Sequence, residues 1–386
     1  MRRENLSACF TLLLLFFTAL AQPNFTVSAT PNIIRVPQDY PTIQEAINAA
    51  TSGDTILVAA GTYYEHVIIN KTVSLKGEGP NVSVIDGNSV GDIVTITANN
   101  TRIEGFTMAN GGMNIIGYGI LVKGSNNLVV NNSITGVWYG IGTSSSSSSN
   151  TIMGNNFSVV PRPLDIDGSN NLIKEHFISH TGFAFTVFLS GFHNTLFNNT
   201  IIADGWVLTI ASSQYCTVSD NNIIRMGYTG SEAGIWIWNS QFNTIINNTI
   251  KNHSVGILIE GDSSNNIIYH NNFRNNIKQA VAPEPVTNIW DDGYPSGGNY
   301  WSDYTGIDAN NDGIGDTPYI INASNIDHYP LMYPYYTHLP VGDITGPADM
   351  PDGKVDMYDV GLAAYAFGSY PGHERWRPAA DITGPD

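Results

Sequence analysis

The chain has 386 residues and a formal net charge of −17 at pH 7. Lys and Arg number 16 against 33 acidic residues, so the clustered cations that hold nucleic-acid phosphates are lacking. The same shortage weighs against a polyuronate substrate, which needs cationic subsites.

The N-terminus carries the features of an export signal. A basic start precedes an apolar run from Phe10 to Leu20, and the small residues Ala19 and Ala21 suit a signal peptidase. The run is shorter than the roughly 20 apolar residues that cross a bilayer. We therefore predict a signal peptide at residues 1–21, a secreted or cell-surface mature protein, and no transmembrane segment after cleavage.

Cleavage leaves one cysteine, Cys216, which excludes an intrachain disulfide in the mature chain. Its apolar neighbours favour a small buried hydrophobe over a reactive thiol. Stability must therefore come from burial, backbone pairing and, we expect, bound metal.

The mature chain opens with a segment, residues 36–63, that predicts a capping helix. Thr42 is placed to N-cap an amphipathic helix in which Ile43, Ala46 and Ile47 share one face. Such a helix covers the open end of a solenoid, where a bare sheet edge and apolar core would otherwise meet water. The segment resembles the N-terminal cap of pectin-lyase-like β-helices, which implies that fold but no particular activity.

Between about Gly119 and Phe273 the chain repeats a short apolar strand, a polar turn, an apolar pair and a pair of asparagines. The pairs are Asn131-Asn132, Asn155-Asn156, Asn198-Asn199, Asn221-Asn222, Asn247-Asn248 and Asn271-Asn272. Their first members are 24, 43, 23, 26 and 24 residues apart, and in the long interval Glu175-His176 stands where a pair is missing. A period of about 22–24 residues without helical spacing predicts an all-β, right-handed parallel β-helix with three strands per coil. Asparagine suits the corners because it tolerates left-handed dihedral angles and can hydrogen-bond between coils.

Alternation along one strand of each coil predicts which side chains leave the core. The predicted inward pairs are Ile120/Val122, Leu164/Ile166, Leu208/Ile210, Ile235/Ile237 and Ile257/Ile259. The predicted outward pairs are Leu121/Lys123, Asp165/Asp167, Thr209/Ala211, Trp236/Trp238 and Leu258/Glu260. The phase of residues 183–189 stays unassigned.

Two outward indoles on one strand, Trp236 and Trp238, predict a carbohydrate-binding surface. Their flat apolar faces match the face of a sugar ring, and Glu260 lies one coil on, where it can accept hydrogen bonds from hydroxyl groups. The alternative is that the segment from Gly227 to Ala233, or the C-terminal segment, packs over the two rings.

The best acid and base candidates are Asp165 and Asp167, which project from one face about 6.6 Å apart. Inverting glycosidases separate their two carboxyl groups by roughly 6.5–9.5 Å. Because Gly168 and Ser169 follow, solvated or turn-capping carboxylates are the competing interpretation.

The C-terminal part of the repeat region resembles NosD-like β-helix proteins, which carry the carbohydrate-binding and sugar-hydrolysis type repeats of archaeal surface proteins. The resemblance rests on residues 299–304, 308–319 and 327–331, together with the repeats, and covers residues 33–332. It implies an exported binding or surface protein. The copper role attached to the NosD name is not expected here, because the sequence holds no His, Met or Cys cluster with ligand spacing.

One loop has the spacing of a calcium site. Asp308, Asn310 and Asp312 place oxygen ligands at alternate positions before Gly313, and Asp316 can complete the set. Calcium is therefore the predicted cofactor, and an acidic turn without metal is the alternative.

The segments after the β-helix are a linker at residues 333–340 and a tail at residues 341–386. The tail is similar to one dockerin-type calcium repeat interrupted by an insertion, and it restarts the motif before the chain stops. The resemblance implies calcium ligands and a cohesin-like partner. The implied ligands are Asp343, Asp352, Asp356 and Asp359.

Three functional hypotheses remain open on the sequence. The first is a secreted β-helix that binds polysaccharide and is tethered through its calcium-dependent tail. The second is a glycoside hydrolase or polysaccharide lyase that uses Asp165 and Asp167, and the third is a structural spacer in a surface layer. Glycosylation is a further expectation, because Asn-x-Ser/Thr sequons recur along the chain. They lie at Asn24, Asn70, Asn81, Asn99, Asn131, Asn156, Asn198, Asn247, Asn252 and Asn322.

Overall fold

The computed structural model describes residues 31–112, 117–180, 185–227 and 232–335. These residues form an all-β, right-handed parallel β-helix of about ten coils, which confirms the predicted fold. The predicted signal peptide and the dockerin-like tail lie outside the described residues.

The described elements are one helix, α1 (Ile43–Ala49), and 34 strands. The first seventeen strands are β1 Ile33–Val36, β2 Thr55–Val58, β3 Gly61–Tyr64, β4 Val67–Ile69, β5 Ser74–Gly77, β6 Ser83–Asp86, β7 Val94–Ile96, β8 Arg102–Glu104, β9 Thr107–Ala109, β10 Tyr118–Val122, β11 Leu128–Val130, β12 Ser133–Thr135, β13 Tyr139–Thr143, β14 Thr151–Met153, β15 Asn156–Ser158, β16 Arg162–Ile166 and β17 Leu172–Lys174. The others are β18 Phe177–His180, β19 Val187–Phe192, β20 Thr195–Phe197, β21 Thr200–Ala203, β22 Leu208–Gln214, β23 Thr217–Ser219, β24 Asn222–Ile224, β25 Ala233–Trp238, β26 Thr244–Ile246, β27 Thr249–Lys251, β28 Val255–Glu260, β29 Ile267–Tyr269, β30 Asn272–Arg274, β31 Lys278–Val281, β32 Tyr300–Trp301, β33 Tyr319–Asn322 and β34 Asn325–Asp327.

Three parallel sheets run the length of the coil. Sheet A has 11 strands from β1 to β29, sheet B has 11 from β3 to β32, and sheet C has 10 from β4 to β31. Each coil adds one strand to sheet A, then sheet B, then sheet C. The turns between sheets therefore form three corners, which we call A–B, B–C and C–A.

The helix α1 closes the N-terminal end as predicted. The Thr42 hydroxyl accepts a hydrogen bond from the Glu45 amide, and Ile43 and Ile47 are fully buried. The Glu65 carboxylate accepts the Ile43 and Gln44 amides at 2.9 Å each, which satisfies N–H groups that the first helical turn leaves without partners.

The core follows the predicted alternation. All ten side chains of the predicted inward pairs are buried, and parallel pairing stacks Ile120 on Ile141 and Ile141 on Leu164. Val187 and Leu189 point inward and Phe188 outward, which resolves the phase that the sequence left open. The outward-facing Thr209 is nevertheless fully buried, because aromatic rings cover this part of sheet C.

Two columns of buried asparagines hold the corners together. At the C–A corner the first ladder comprises Asn127, Asn150, Asn171, Asn194, Asn243, Asn266 and Asn288. At the A–B corner the second ladder comprises Asn132, Asn155, Asn199, Asn221, Asn248, Asn271 and Asn299. In both ladders the backbone amide of one asparagine donates to the Oδ1 atom of the ladder residue in the next coil, 2.9–3.0 Å away for Asn221 and Asn248. The side-chain amide then donates to carbonyls of the preceding coil.

Each ladder contains one residue that is not asparagine. Cys216 fills a rung of the first ladder, is buried as expected, and donates its backbone amide to Asn243. His176 fills a rung of the second ladder, where its Nδ1 atom accepts the Asn155 amide. Burial lowers the pKa of His176 to about 4, so the ring is neutral in the folded chain at neutral pH.

A carboxylate ends the second ladder. The Asn299 amide and the Trp301 indole donate to the Asp327 Oδ2 atom at 2.7 and 2.8 Å. Burial raises the pKa of Asp327 to about 7, although these donors oppose the shift. The stacked rings of Phe273, Trp301 and Tyr319 close the C-terminal end of the coil over this carboxylate.

Candidate functional site

A band of aromatic side chains lies on the outer face of sheet C. We call it the aromatic strip, and it comprises Tyr118, Tyr139, Phe185, Phe188, Trp206, Trp236 and Trp238. The residues come from the coils of strands β10, β13, β19, β22 and β25, and Arg162 of β16 lies between the Tyr139 and Phe185 rings, so parallel stacking of the sheet brings them into one surface.

The middle of the strip is a closed layer. Trp206 and Trp236 have ring centroids 4.6 Å apart, and the Phe185 ring lies 6.4 and 6.1 Å from them. Thr209 is fully buried beneath this layer, and its hydroxyl has no hydrogen-bond partner among the described residues. Ring faces in this part of the strip are therefore covered by neighbouring rings.

The strip opens at Trp238. This indole is 43% exposed and lies 6.1 Å from Trp236 at an interplanar angle of 31°. The next coil places Glu260 beside it in register. The Trp236 Nε1 atom donates to the Glu260 Oε2 atom at 2.9 Å, whereas the Oε1 atom makes no hydrogen bond within the described part of the chain. The three residues of the predicted carbohydrate surface are thus brought together.

The structure describes only part of the loop that was predicted, as the alternative, to cover these rings. Of the segment from Gly227 to Ala233, residues 228–231 lie outside the described residues. The remaining residues of that segment leave Trp238 exposed.

Asp165 is held by a tyrosine and an arginine at the N-terminal end of the strip. Its Oδ2 atom accepts the Tyr118 hydroxyl at 2.7 Å, and its Oδ1 atom accepts Arg162 at 3.0 Å. Tyr118 reaches Asp165 across Gly142, where a Cβ atom would clash with the ring. Burial, followed by the hydrogen bond to Asp165, raises the pKa of Tyr118. The guanidinium of Arg162 also lies 5.2 Å from the Tyr139 ring centroid.

Asp167 has a different role from its predicted partner. Its Oδ1 atom accepts the Gly168 amide at 2.7 Å, while its backbone exchanges hydrogen bonds with the Thr143 hydroxyl in the preceding coil. Asp167 therefore caps a turn, and Asp165 anchors an aromatic cluster. These contacts explain both carboxylates structurally, and an acid–base role stays a prediction.

The loop predicted to bind calcium is a network of turns. Asp308 accepts the Gly313 amide at 2.8 Å, Asp312 accepts the Ile314 amide at 2.9 Å, and Asp316 accepts the Ala309 amide at 2.9 Å. The Asn310 amide donates to Asp312 at 2.9 Å. This last donor is the side-chain amide of Asn310, whereas the other three contacts are donated by backbone amides.

Across residues 31–335, apart from the undescribed gaps, no group of three or more His, Cys, Asp or Glu side chains is arranged to hold a metal ion. Calcium at residues 308–316 stays a prediction, as does calcium at Asp343, Asp352, Asp356 and Asp359, which lie outside the described residues. The described residues also offer no group of His and Cys side chains that would suit copper.

Sequence reasoning found the open end of the strip and missed its middle. Phe185 and Phe188 lie in the stretch whose phase was unassigned, and Trp206 precedes the strand that was used for alternation. Aligning this coil on Asn194 places Val187 and Leu189 inward and Phe188 outward. Phe185 and Trp206 precede strands β19 and β22 and have the parity of the inward residues, so strand alternation does not place them on the outer face.

Comparison with known proteins agrees with the fold and the repeat type. Residues 164–306 match the family model described as periplasmic copper-binding protein (NosD), which confirms the NosD resemblance over this stretch. A probable ABC transporter binding protein NosD from Stutzerimonas stutzeri is 38% identical over 131 residues, covering 31% of this chain and 29% of the relative. A cell surface glycoprotein from Methanothermus fervidus is 30% identical over 347 residues, covering 76% of this chain and 56% of the relative.

The chain spans between about a third and just over half of the length of these curated relatives. Among solved structures, an alginate lyase from a Paenibacillus species has a TM-score of 0.38 and 14% identity, covering 70% of this chain and 97% of that one. Within the described residues, no helix is long and apolar enough to cross a membrane.

Proposed function

We propose that this chain is an exported β-helix protein that binds a neutral polysaccharide through Trp238 and Glu260, at the open end of the aromatic strip. The observation that carries the proposal is an exposed indole held next to a carboxylate with one oxygen already fixed by a second indole. The hydrogen bond from Trp236 orients the Glu260 carboxylate before any ligand arrives, which lowers the entropy cost of binding.

The chemistry of the two residues suits a sugar. The indole face of Trp238 matches the apolar face of a pyranose ring, and the Glu260 Oε1 atom can accept a hydroxyl hydrogen bond. Acidic residues outnumber basic ones two to one in the chain, so a polyanionic glycan would be repelled. A neutral polysaccharide is the substrate class that remains.

The relatives support an exported binding role. They are described as a periplasmic family, a transporter binding protein and a cell surface glycoprotein. Copper, which the family description names, is not part of the proposal because the described residues lack a fitting donor set.

The direct test is binding of the secreted full-length chain to a panel of insoluble neutral polysaccharides. Trp238→Ala should weaken binding by about tenfold, because one sugar–indole contact contributes on the order of 1.4 kcal/mol. The matched control is Phe177→Ala on sheet B, which removes a ring that is 59% exposed but outside the strip. Equal binding by the two variants would remove the strip from the proposal.

The tail extends the proposal to attachment. We propose that residues 341–386 bind calcium through Asp343, Asp352, Asp356 and Asp359, and hold the protein to a cohesin-like partner. Retention of the full chain on its native envelope should then fail in a chelator and return with calcium. Retention unaffected by the chelator would contradict this attachment and leave the strip untouched.

An enzymatic role is the second candidate, since Tyr118, Asp165 and Arg162 form a polar cluster at the other end of the strip. Reducing-sugar release from mixed polysaccharides should then disappear with Asp165→Asn. A protein without measurable release, and without binding to any glycan, would instead act as a spacer.

A further inference from the structure

The corners of the coil differ in where they place glycosylation sequons. At both ladder corners a residue in the left-handed conformation precedes the ladder residue, and the position two residues on begins the next strand. A sequon forms there whenever asparagine occupies the first of these positions and Ser or Thr occupies the last. The two ladder corners can therefore be compared position by position.

At the A–B corner, every left-handed asparagine completes a sequon. Asn131, Asn198 and Asn247 have φ angles of 53°, 52° and 61°, and they are followed two residues on by Ser133, Thr200 and Thr249. Asn81, which precedes the first residue of the ladder, has a φ angle of 70° and is likewise followed by Ser83. The strand start does not require a hydroxyl. In the coils where Gly105, Gly154, Glu175, Asp220 and His270 hold the corner, the residues two positions on are Thr107, Asn156, Phe177, Asn222 and Asn272.

At the C–A corner, the pattern is reversed. The left-handed asparagines Asn100, Asn126, Asn170 and Asn265 are followed two residues on by Arg102, Leu128, Leu172 and Ile267. Where the corner residue is Ser149, His193, Tyr215 or Phe242, the position two residues on is Thr151, Thr195, Thr217 or Thr244. Threonine thus fits this strand start, but it is absent in each coil where it would complete a sequon with the left-handed asparagine. The two other sequons of this corner, Asn70 and Asn99, end before the strand start, at Thr72 and Thr101.

We infer that Asn131, Asn198 and Asn247 are N-glycosylation sites. The A–B corner is the one corner that does not border sheet C, so glycans there point away from the aromatic strip. Architecture alone explains the asparagines, since they tolerate left-handed dihedral angles, but it does not explain the hydroxyl residues that accompany them.

The three side chains are available for modification. Asn131 and Asn198 are exposed, Asn247 is half-buried, and none of the three carboxamides makes a hydrogen bond within the described residues. The sequon Asn322 contrasts with them, because its side chain donates to Ala282 and accepts from Ser324 and Asn325.

Space for attached sugars is present along the corner. Asn131 borders a groove of about 450 Å³ whose lining is free of charged side chains. Three coils separate Asn131 from Asn198, and two coils separate Asn198 from Asn247. At about 4.8 Å per coil these intervals are roughly 14 and 10 Å, wide enough for one glycan at each position.

The reaction is a glycosyl transfer from a lipid-phosphate-linked oligosaccharide, which is the co-reactant. A bond forms between the asparagine Nδ2 atom and the anomeric carbon of the first sugar. The bond from that carbon to the phosphate oxygen breaks, the lipid phosphate leaves with the bonding pair, and Nδ2 loses one proton.

The test is mass spectrometry of glycopeptides from the protein purified from its own cells. Peptides that contain Asn131, Asn198 and Asn247 should carry sugar, and finding all three unmodified would overturn the inference. Thr249→Val, expressed in the same cells, should lose the glycan at Asn247 while keeping the asparagine. Its matched control is Thr244→Val, which changes the equivalent strand position at the C–A corner and should leave every glycan in place. Retention of the Asn247 glycan by Thr249→Val would contradict the assignment of that site.

Discussion

The asparagine ladders and the aromatic strip lie in the same coils but repeat in opposite ways. A ladder position holds asparagine in nearly every coil, because each rung must bond the backbone of the coil after it and that of the coil before it. On sheet C, the positions in register with Asp165 hold Phe188, Thr209, Trp236 and Leu258, each with different contacts. Backbone hydrogen bonding therefore fixes the residue type at the ladder positions. It does not restrict the residue type on the outer face of sheet C, where the side chains can be selected for binding.

The largest loss of stability is expected when an asparagine of a ladder is replaced. Asn248→Leu removes the acceptors for the Asn221 amides and the donor to the Val218 carbonyl, and it leaves these groups buried. We expect the free energy of unfolding to fall by about 3–4 kcal/mol, measured by urea denaturation. The control is Asn126→Gly, at a corner position that is left-handed but is not part of a ladder. Because glycine adopts this conformation readily, the free energy of unfolding should change by less than about 0.5 kcal/mol. A similar cost for both variants would contradict the ladder account.

Acid should weaken the rung that is not asparagine. Burial holds the pKa of His176 at about 4, below its ordinary value of 6.5, so between these values the unfolded chain takes up a proton that the folded chain does not. The neutral His176 ring contributes fully to the free energy of unfolding above pH 6.5. About 3 kcal/mol of this free energy is lost as the pH falls through 4. His176→Asn restores the regular rung and should flatten the pH dependence of unfolding by this amount. An unchanged slope would show that His176 does not remain neutral.

The buried His253 and Asp327 make the difference between variants more informative than the wild-type curve. Burial also lowers the pKa of His253 to about 4, which adds to the loss of stability in acid. Asp327 has a pKa raised to about 7, so its contribution to the free energy of unfolding is lost as the pH rises through 7. This pH dependence is opposite in sign to that of the two histidines.

A glycine in the strip gives a smaller effect. Gly142→Ala places a methyl group against the Tyr118 ring and forces it away from Asp165, at a cost of about 1–3 kcal/mol in thermal or urea unfolding. In a Tyr118→Ala background the same change should cost little, because the ring is gone. A full cost in that background would show that the clash lies elsewhere.

The smallest expected change is a gain. Thr209→Val replaces a buried hydroxyl that has no partner among the described residues with a methyl group of the same shape. We expect the free energy of unfolding to rise by about 1 kcal/mol. The matched control Thr217→Val on sheet A, at a half-buried position, should be close to neutral. A destabilised Thr209→Val variant would mean that the hydroxyl is satisfied in solution.

Most of the fold was predictable because it repeats. The spacing of asparagine pairs predicted the coil and showed Glu175-His176 in the place of a missing pair, but it did not predict that His176 is a buried rung. The strip was only half predictable, because contacts such as that between Tyr118 and Asp165 join residues two coils apart on sheet C and depend on a register that one strand does not reveal. Alternation grouped Asp165 with Asp167, whereas the structure pairs Asp165 with Arg162. This contact could not be predicted, because alternation gives the face on which a side chain lies but not its partner.

The most direct test of the binding role is the affinity of the full-length secreted chain for a neutral polysaccharide that it retains, measured beside Trp238→Ala and Phe177→Ala. The account predicts an affinity about tenfold lower for Trp238→Ala and unchanged for Phe177→Ala, with all three proteins folded. Wild-type affinity in Trp238→Ala would contradict a binding site at the open end of the aromatic strip.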